Sequence, residues 1–405
     1  MVHCSSSSLR LTLSTGMSFM HSFVLLLAQV PATNVPRCPP AFLVPWWEKG
    51  ALRQNGSASR QWNNVQVVVD VDDTIKSSGG WRILNIPIGG IDTQYDRGVF
   101  YPGASQFVFE LATHQPRPSS PPRKIGNSVK PLPLAVLTAR IPQVPIKRTS
   151  TVFRRFREIA NENNYAEWGI DLRNGVLYST LKQWVFQWTK GDRKFENFEL
   201  LKQRRRRQFG HDKVKYVWVG DTGEMDREAG EMMARKHPES ILAVFLHYVS
   251  ERHHLPAELP EDYSVNGTPI YFFRTYIGAA SKAAASSLIS GDSLVRVVNR
   301  AVKDLDRMNV RATSSKWRDL RMDFEEAERL LGPWRKFRDP AWLEAKKALE
   351  DKFNPTVLAD KQRKGSSSGS RTYRPVSAQQ PPPPPPPQQP PRPQQQGAAF
   401  AFVFE

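Results

Sequence analysis

The feature that most constrains the fold is the segment VQVVVDVDDT at 65–74, where an apolar, β-branched run ends in acids. β-Branched residues favour strands, and a continuous apolar run is typical of a strand buried on both faces of a parallel sheet. Asp70, Asp72 and Asp73 therefore follow the point where the strand leaves the core. Ligands bind at this end of strands in open α/β sheets, and crowded carboxylates favour a hard cation such as Mg²⁺. An acidic corner in water is the alternative.

Strand-like and helix-like segments alternate after this stretch. Further strands are expected at 132–137, 176–178, 215–219 and 241–246. Helical patterns lie between them, at 104–113, at 149–163, from 193 and at 227–236. The alternation predicts βαβ units and a three-layer, Rossmann-like α/β fold with a parallel sheet. The segment after the first acids, which contains a short apolar patch at 83–88, is expected to be a loop or a small hairpin.

Composition divides the chain into four regions. We expect a leader at 1–47, the α/β domain at 60–250, a helical extension at 251–355 and a disordered tail at 356–405. The tail is rich in Pro and Gln, so it favours polyproline II and cannot build a core. It is either a simple tail or a ligand for an SH3, WW or profilin-like partner.

The leader has the composition of a targeting segment. Residues 1–47 contain no Asp or Glu, and 17–30 are mostly apolar. That apolar stretch is shorter than the roughly 20 residues of a membrane span, but it suits a secretory signal or a plastid-type transit peptide. We expect a protein peripheral to a membrane. A cytoplasmic protein with a disordered N-terminal arm is the alternative.

An excess of basic residues favours an anionic partner. The chain has 57 Lys and Arg against 39 Asp and Glu, a formal net charge of +18. No zinc-ligand pair or aromatic RNA-binding signature accompanies this charge, so we expect an anionic membrane surface or a phosphoester rather than nucleic acid. The arginines at 204–207 either contact anionic headgroups or form a solvated helix face. With only Cys4 and Cys38, the chain cannot be a disulfide-built fold or hold a cysteine zinc site.

A second acidic cluster, GDTGEMD at 220–226, follows a later apolar strand. The carboxyl ends of parallel strands share one edge of the sheet, so Asp221 and Asp226 can converge there with Asp70 and Asp72. Convergent carboxylates and Mg²⁺ suit phosphoryl transfer, in which one carboxylate can be the nucleophile and another can move protons. The alternative is that the second cluster only caps the following helix.

Two further residues can complete such a site. Thr138 follows the strand at 132–137 and offers a hydroxyl for phosphoryl oxygens. Lys194 opens a helical pattern and offers a positive charge, which phosphoryl transfer requires. Lys182 and Lys190 are nearby alternatives for the lysine, and an ordinary surface position is the other alternative for Lys194.

The motifs resemble those of a known superfamily. DVDDTI at 70–75 resembles the DxDx[TV] signature of the haloacid dehalogenases, and 220–226 resembles their acidic fourth motif. More narrowly, these two motifs and FYPG at 100–103 are similar to the catalytic domain of the App1-like phosphatidate phosphatases. The resemblance covers about 65–280. It implies a haloacid dehalogenase fold with a small cap insertion or none.

The resemblance also implies a role for each candidate residue. Asp70 would be the nucleophile and Asp72 the general acid and base. Thr138 would bind the phosphoryl oxygens, and Lys194 would stabilise the charge on Asp70 and the phosphate. Mg²⁺ would be held by Asp70, Asp72 (through its backbone carbonyl), Asp221 and Asp226.

The expected activity is Mg²⁺-dependent hydrolysis of phosphatidate to diacylglycerol and phosphate at a membrane surface. One alternative is the same chemistry on a soluble phosphoester or a phosphoprotein. The other is a non-catalytic scaffold, in which the α/β domain is a platform and the Pro-rich tail recruits partners.

Overall fold

The computed structural model describes residues 65–83, 86–87, 90–114, 131–179, 190–252, 255–256 and 258–353. All of them belong to one compact unit of the chain, Asn55–Glu405. The predicted leader at 1–47, the Pro-rich tail at 356–405 and Lys182 lie outside the described residues.

Nine strands form one large sheet and one hairpin in the described part of the chain. Their bounds are Val65–Val69 (β1), Arg82–Ile83 (β2), Ile86–Pro87 (β3), Ala135–Leu137 (β4), Val176–Leu177 (β5), Lys215–Asp221 (β6), Ile241–His247 (β7), Tyr263–Val265 (β8) and Thr268–Phe273 (β9). The large sheet has the order β5-β4-β1-β6-β7-β9-β8. Every neighbouring pair in it is parallel except β8 and β9. The predicted parallel sheet is therefore mostly parallel, with one antiparallel edge strand, and the α/β arrangement is compatible with a Rossmann-like fold.

Helices cover both faces of this sheet. Those described are Ala104–Thr113 (α1), Thr151–Glu162 (α2), Lys190–Phe209 (α3), Asp226–Lys236 (α4), Tyr276–Ala285 (α5), Gly291–Arg307 (α6), Ser315–Leu330 (α7), Pro333–Arg338 (α8) and Pro340–Phe353 (α9). The helix predicted at 104–113 is confirmed, and those predicted at 149–163 and 227–236 are found within two residues of their bounds.

Strand β1 shows why the fold has three layers. Successive side chains of a strand point to opposite faces. Val67 and Val69 enter the larger core, which contains residues of α1, α2, α5, α6, α7 and α9. Val68 enters the other core, with Phe198 of α3 and Met233 of α4. An apolar run buried on both faces is therefore the local reason that β1 lies in the middle of the sheet.

The region predicted as a helical extension, 251–355, is not helical throughout. Strands β8 and β9 extend the sheet at its edge, and β9 pairs with β7 in parallel. Pro269 and the short apolar run after it obscured this strand in the sequence. Helix α6 lies within the predicted helical extension, and Leu294, Val298 and other residues on one face of it are buried in the core. Among the described residues, no helix is both long and apolar enough to cross a bilayer.

The position of β1 determines where a ligand can bind. The chain leaves β1 toward β4 on one side and later returns as β6 on the other. In doubly wound sheets, ligands bind in the crevice beside the strand at which the direction of winding reverses. That crevice lies at the carboxyl ends of β1 and β6, where both acidic motifs are found.

Candidate functional site

Strands β1 and β6 bring the two acidic motifs together. They pair in parallel register, with Val69 opposite Val219. The backbone N–H of Asp70 donates to the carbonyl of Val219 at 3.0 Å, which continues the pairing one residue beyond β1. Asp70 and Asp221 therefore leave adjacent strands at the same edge, as the sequence predicted.

Three buried carboxylates meet at this edge. Asp70, Asp221 and Asp226 each offer an oxygen within 4.8 Å of the others. All three side chains are buried, and Oδ1 of Asp70 has no hydrogen-bond partner. Carboxylate oxygens are the ligands that hard divalent cations prefer. The trio can therefore hold a metal ion.

Lys194 of α3 supplies the cation of this cluster. Its Nζ lies 2.9 Å from Oδ2 of Asp70 and also donates to Oδ1 of Asp226. The lysine is buried as completely as the acids it bridges. Of the lysines considered from the sequence, Lys194 is therefore the one that the structure describes in contact with the acids. The side chain of Lys190 lies outside the described part.

The spacing of buried residues in α3 places Lys194 on the buried face of the helix. Lys194, Phe198, Leu201 and Arg205 recur at intervals of three and four residues, and all four are buried. Arg205 donates from Nε to Oε1 of Gln66 at 2.8 Å and pairs with Asp171 at 3.0 Å. The interpretation of 204–207 as a uniformly solvated face, or as one set of headgroup contacts, is therefore wrong for Arg205.

Close backbone packing places Asp226 beside Asp221. The backbone N–H of Asp221 donates to Oδ2 of Asp226 at 3.1 Å, and Nε1 of Trp218 donates to the backbone carbonyl of Asp226, also at 3.1 Å. A Cβ atom at Gly220 would lie 2.5 Å from Oδ2 of Asp226, so this approach needs glycine. Asp226 is the first residue of α4. Its carboxylate contacts Lys194, so Asp226 takes part in the cluster in addition to beginning the helix.

The remaining contacts of Asp221 hold its carboxylate in place. Oδ1 accepts hydrogen bonds from the backbone N–H groups of Gly223 at 2.6 Å and Glu224 at 3.1 Å. Oδ2 accepts one from the hydroxyl of Thr74 at 3.3 Å. The threonine of the first motif therefore positions an acid of the second, a role that the sequence did not reveal.

The cluster has an excess of negative charge. Burial raises the pKa of Asp70 to about 7 and that of Asp221 to about 6, although Lys194 lowers both. Burial also raises the pKa of Asp226 well above its usual range. The pKa of Lys194 is raised because Asp226 and Asp70 outweigh the effect of its burial. One ammonium does not balance three carboxylates, so protonation or a further cation is needed.

Asp72 is in a different electrostatic environment two residues later. Arg140 donates to both of its oxygens, from Nε to Oδ2 at 2.7 Å and from Nη2 to Oδ1 at 2.6 Å. Burial raises the pKa of Asp72, but the charge and hydrogen bonds of Arg140 outweigh it and lower the pKa overall. The side chain of Asp72 is therefore not one of the three converging carboxylates. Arg140 was not singled out from the sequence, because only the adjacency of β1 and β4 brings it to Asp72.

Thr138 also lies at the predicted edge. It follows β4, is buried, and its backbone N–H donates to the carbonyl of Leu177 in β5 at 3.1 Å. Its hydroxyl accepts a hydrogen bond from the backbone N–H of Arg140 at 3.2 Å. The structure therefore brings Thr138 next to the residue that pairs with Asp72.

Asp73 fixes the loop that follows the first motif. Its Oδ1 accepts from the N–H of Ser78 and its Oδ2 from that of Asp92, both at 2.8 Å. Its own backbone carbonyl lies 2.8 Å from Nδ1 of His247, and the Thr74 carbonyl accepts from the hydroxyl of Tyr276. Asp73 therefore holds a loop and is not part of the carboxylate trio.

Comparison with known proteins does not identify a family. No protein-family model, curated protein or solved structure matches the chain. The resemblance of the two acidic motifs to the haloacid dehalogenases stays a prediction, and the site is interpreted from its own geometry.

Proposed function

We propose that this protein is a Mg²⁺-dependent phosphatase of the haloacid dehalogenase type, with Asp70 as its nucleophile. The observation that carries the proposal is the buried cluster of Asp70, Asp221 and Asp226 around the single ammonium of Lys194. Buried charges are retained when they are paired or serve a site, since an isolated buried carboxylate is costly. A structural role alone does not account for an acid excess at the ligand-binding edge of the sheet.

The donor set fits a divalent cation. Asp70 has one unpartnered oxygen, and the cluster contains three carboxylates against one ammonium. Asp70, Asp221 and Asp226 would hold the ion, joined by the backbone carbonyl of Asp72 if the motif resemblance holds. When bound, Mg²⁺ would neutralise carboxylate charge and polarise the phosphoryl group.

Asp70 is the residue best placed to attack phosphorus. Lys194 donates a hydrogen bond to Oδ2 of Asp70. This contact limits rotation of the Asp70 carboxylate and favours the ionised form of Asp70. A carboxylate oxygen of Asp70 would form a bond to phosphorus while the bond from phosphorus to the ester oxygen breaks. The product of this step is an aspartyl-phosphate and an alcohol. Water would then attack that phosphorus and release inorganic phosphate, which regenerates Asp70.

Asp72 would move the protons in both halves of the reaction. It would protonate the leaving ester oxygen and then accept a proton from the attacking water. Because Arg140 occupies both of its oxygens, the pair must open for Asp72 to act. Arg140 would then be free to bind phosphoryl oxygens, which guanidinium groups recognise well. Thr138, bonded to the backbone of Arg140, would contribute its hydroxyl beside them.

For the substrate we favour phosphatidate. The motif resemblance and the charge of +18 support a phosphomonoester presented on an anionic membrane. Between β1 and α1, the described residues form only the small β2–β3 hairpin, which suits a phosphate group on a large surface better than a substrate enclosed by a cap domain. This reaction requires no contribution from the Pro-rich tail, whereas a scaffold would need no reactive carboxylate.

The test is release of phosphate from phosphatidate in mixed micelles, with Mg²⁺ and with a chelator, by the wild type and by Asp70→Asn. We expect Mg²⁺-dependent release by the wild type and none by the variant. A strong preference for small soluble phosphomonoesters would replace the lipid substrate but keep the chemistry. Equal release by Asp70→Asn would remove Asp70 from the nucleophile role, and no release from any phosphoester would favour the scaffold.

A further inference from the structure

The short helix α8 presents an aromatic side chain to solvent. Phe337 is 71% exposed, more than any other large hydrophobic residue that the structure describes. The helices on either side add less exposed apolar residues, with Leu330 at 42% and Leu343 at 40%. A single exposed apolar side chain is common on protein surfaces, so the residues around Phe337 decide whether it indicates a partner.

Helix α8 connects two packed helices, α7 and α9. Trp342 of α9 is fully buried and stacks on Phe324 of α7, with ring centroids 4.3 Å apart. Arg335 of α8 pairs with Asp292 of α6. Helix α8 is therefore tied to α6 by an ion pair, while Phe337 is left exposed.

Basic residues flank the exposed ring. Lys336 and Arg338 are its neighbours in α8, which contains no acid. The tip, defined as residues 336–338, therefore has two positive charges and no acid. Asp339 follows directly and accepts from the backbone N–H of Ala341 at 3.0 Å, so its negative charge lowers the local excess to one, whereas Glu344 lies 3.3 Å from Lys303.

We propose that the α8 tip docks the protein on an anionic phospholipid bilayer, with Phe337 inserted at the interface and Lys336 and Arg338 at the level of the headgroups. Interfacial helices bind in this way, through an apolar residue buried at the acyl boundary and cations attracted to acidic lipids. Charge complementarity selects the bilayer over an apolar protein groove. The docking requires no phosphatase activity, so it can be tested whether or not the proposed function holds.

The arginine cluster of α3 is the competing surface. Arg206 and Arg207 are exposed, and Leu200 of the same helix is 42% exposed. However, Arg205 is buried, and exposed Glu196 lies on this helix. Helix α3 packs on the opposite face of the sheet from α6, α7 and α9, which support the tip. The two surfaces can therefore be distinguished by matched substitutions.

The experiment measures binding of the full chain to vesicles of phosphatidylcholine, with and without phosphatidylserine. Loss of two cations near such a surface weakens binding by about thirtyfold, so we expect at least this effect for the double variant K336E/R338E. Phe337→Ser is expected to weaken binding by about tenfold through loss of apolar burial. The controls R206E/R207E, with the same change in charge, and Leu200→Ser are expected to change binding less than threefold.

Thermal melts establish that each variant is folded, and light scattering reports its oligomeric state. Normal binding by both tip variants would overturn the proposal. Loss of binding by R206E/R207E alone would assign the membrane contact to helix α3 instead. Equal losses in K336E/R338E and R206E/R207E would overturn the proposal in favour of net charge. A dimer that Phe337→Ser converts to a monomer, with vesicle binding intact, would assign the tip to self-association instead.

Discussion

A cluster of buried acids and a single buried acid elsewhere in the fold differ in how their negative charge is balanced. At the sheet edge, three carboxylates share one ammonium, that of Lys194. In the helical layer, the single carboxylate of Asp304 is met by Arg155 at 2.9 Å and Arg300 at 3.0 Å, and also accepts from the N–H of Gly103. The first group has too few cations, whereas the charge of Asp304 is balanced by two arginines, of which Arg300 also pairs with Glu162.

This difference in charge balance distinguishes a candidate ligand-binding site from an ion pair with a structural role. Asp304 connects α6 to α2 and to the start of α1, so its contacts explain its burial fully. The contacts of Asp70 do not, because one oxygen is unpartnered and the pKa is raised to about 7. A buried cluster with unbalanced charge is the arrangement expected where a ligand supplies the missing charge.

The largest expected effect comes from neutralising one acid of each group. Asp70→Asn should lower phosphate release by at least about a thousandfold, since the proposed nucleophile is lost. It should not lower the stability of the metal-free protein, because it relieves repulsion. Asp304→Asn should keep the site but lower the free energy of unfolding by about 1.5–3 kcal/mol, since Arg155 and Arg300 lose a charged acceptor although Arg300 keeps Glu162.

Urea unfolding with a chelator present, together with phosphate release, checks this contrast. Similar destabilisation by both substitutions would show that the two groups do not differ as described. Asp304→Ala is the less suitable comparison, because it would add a cavity to the loss of charge.

A smaller effect is expected for the Asp72–Arg140 pair, which is charge-balanced although it adjoins the unbalanced cluster. Arg140→Gln should lower phosphate release by roughly 10- to 100-fold, through loss of a phosphoryl-binding group. Its effect on stability should be near 1 kcal/mol, since the Arg140 side chain is 25% exposed. Arg140→Lys, which keeps the charge but not the bidentate geometry, should recover part of the activity. Wild-type turnover by Arg140→Gln would leave the residue with only a structural role.

A last effect is expected on the pH dependence of stability. With metal removed, the free energy of unfolding should fall as pH rises from about 4 to 7, because the unfolded chain releases protons near the usual pKa of 3.8 while folded Asp70 and Asp221 keep theirs to about 7 and about 6. Asp70→Asn should flatten this dependence, whereas Asp304→Asn should not. Urea unfolding at pH 5 and pH 7.5 measures the difference, and an unchanged slope in Asp70→Asn would contradict the proposed charge excess.

Much of the fold could be predicted because the patterns are local. The apolar run before Asp70 and the periodic pattern at 104–113 specify β1 and α1 directly. Strand β9 was missed because Pro269 interrupts it and its apolar run is short. Its strand conformation depends on pairing with β7. Such pairing is a long-range property that a short apolar run does not encode.

The site was predictable to the extent that it depends on strand ends. Asp70, Asp221 and Asp226 converge because parallel strands share one edge, and Lys194 joins them from the buried face of α3. Arg140 was not predictable in this way. A side chain that leaves β4 can turn to several neighbours, and only packing selects Asp72.

Thermal unfolding at increasing Mg²⁺ concentration shows whether Asp70, Asp221 and Asp226 bind a divalent cation. An ion that binds only the folded chain stabilises it by about 2.7 kcal/mol at a hundred times its dissociation constant. We predict that Mg²⁺ raises the Tm of the chelator-treated wild type and leaves that of Asp221→Asn unchanged. An equal rise in both proteins, or no rise in the wild type, would show that Asp70, Asp221 and Asp226 do not bind Mg²⁺.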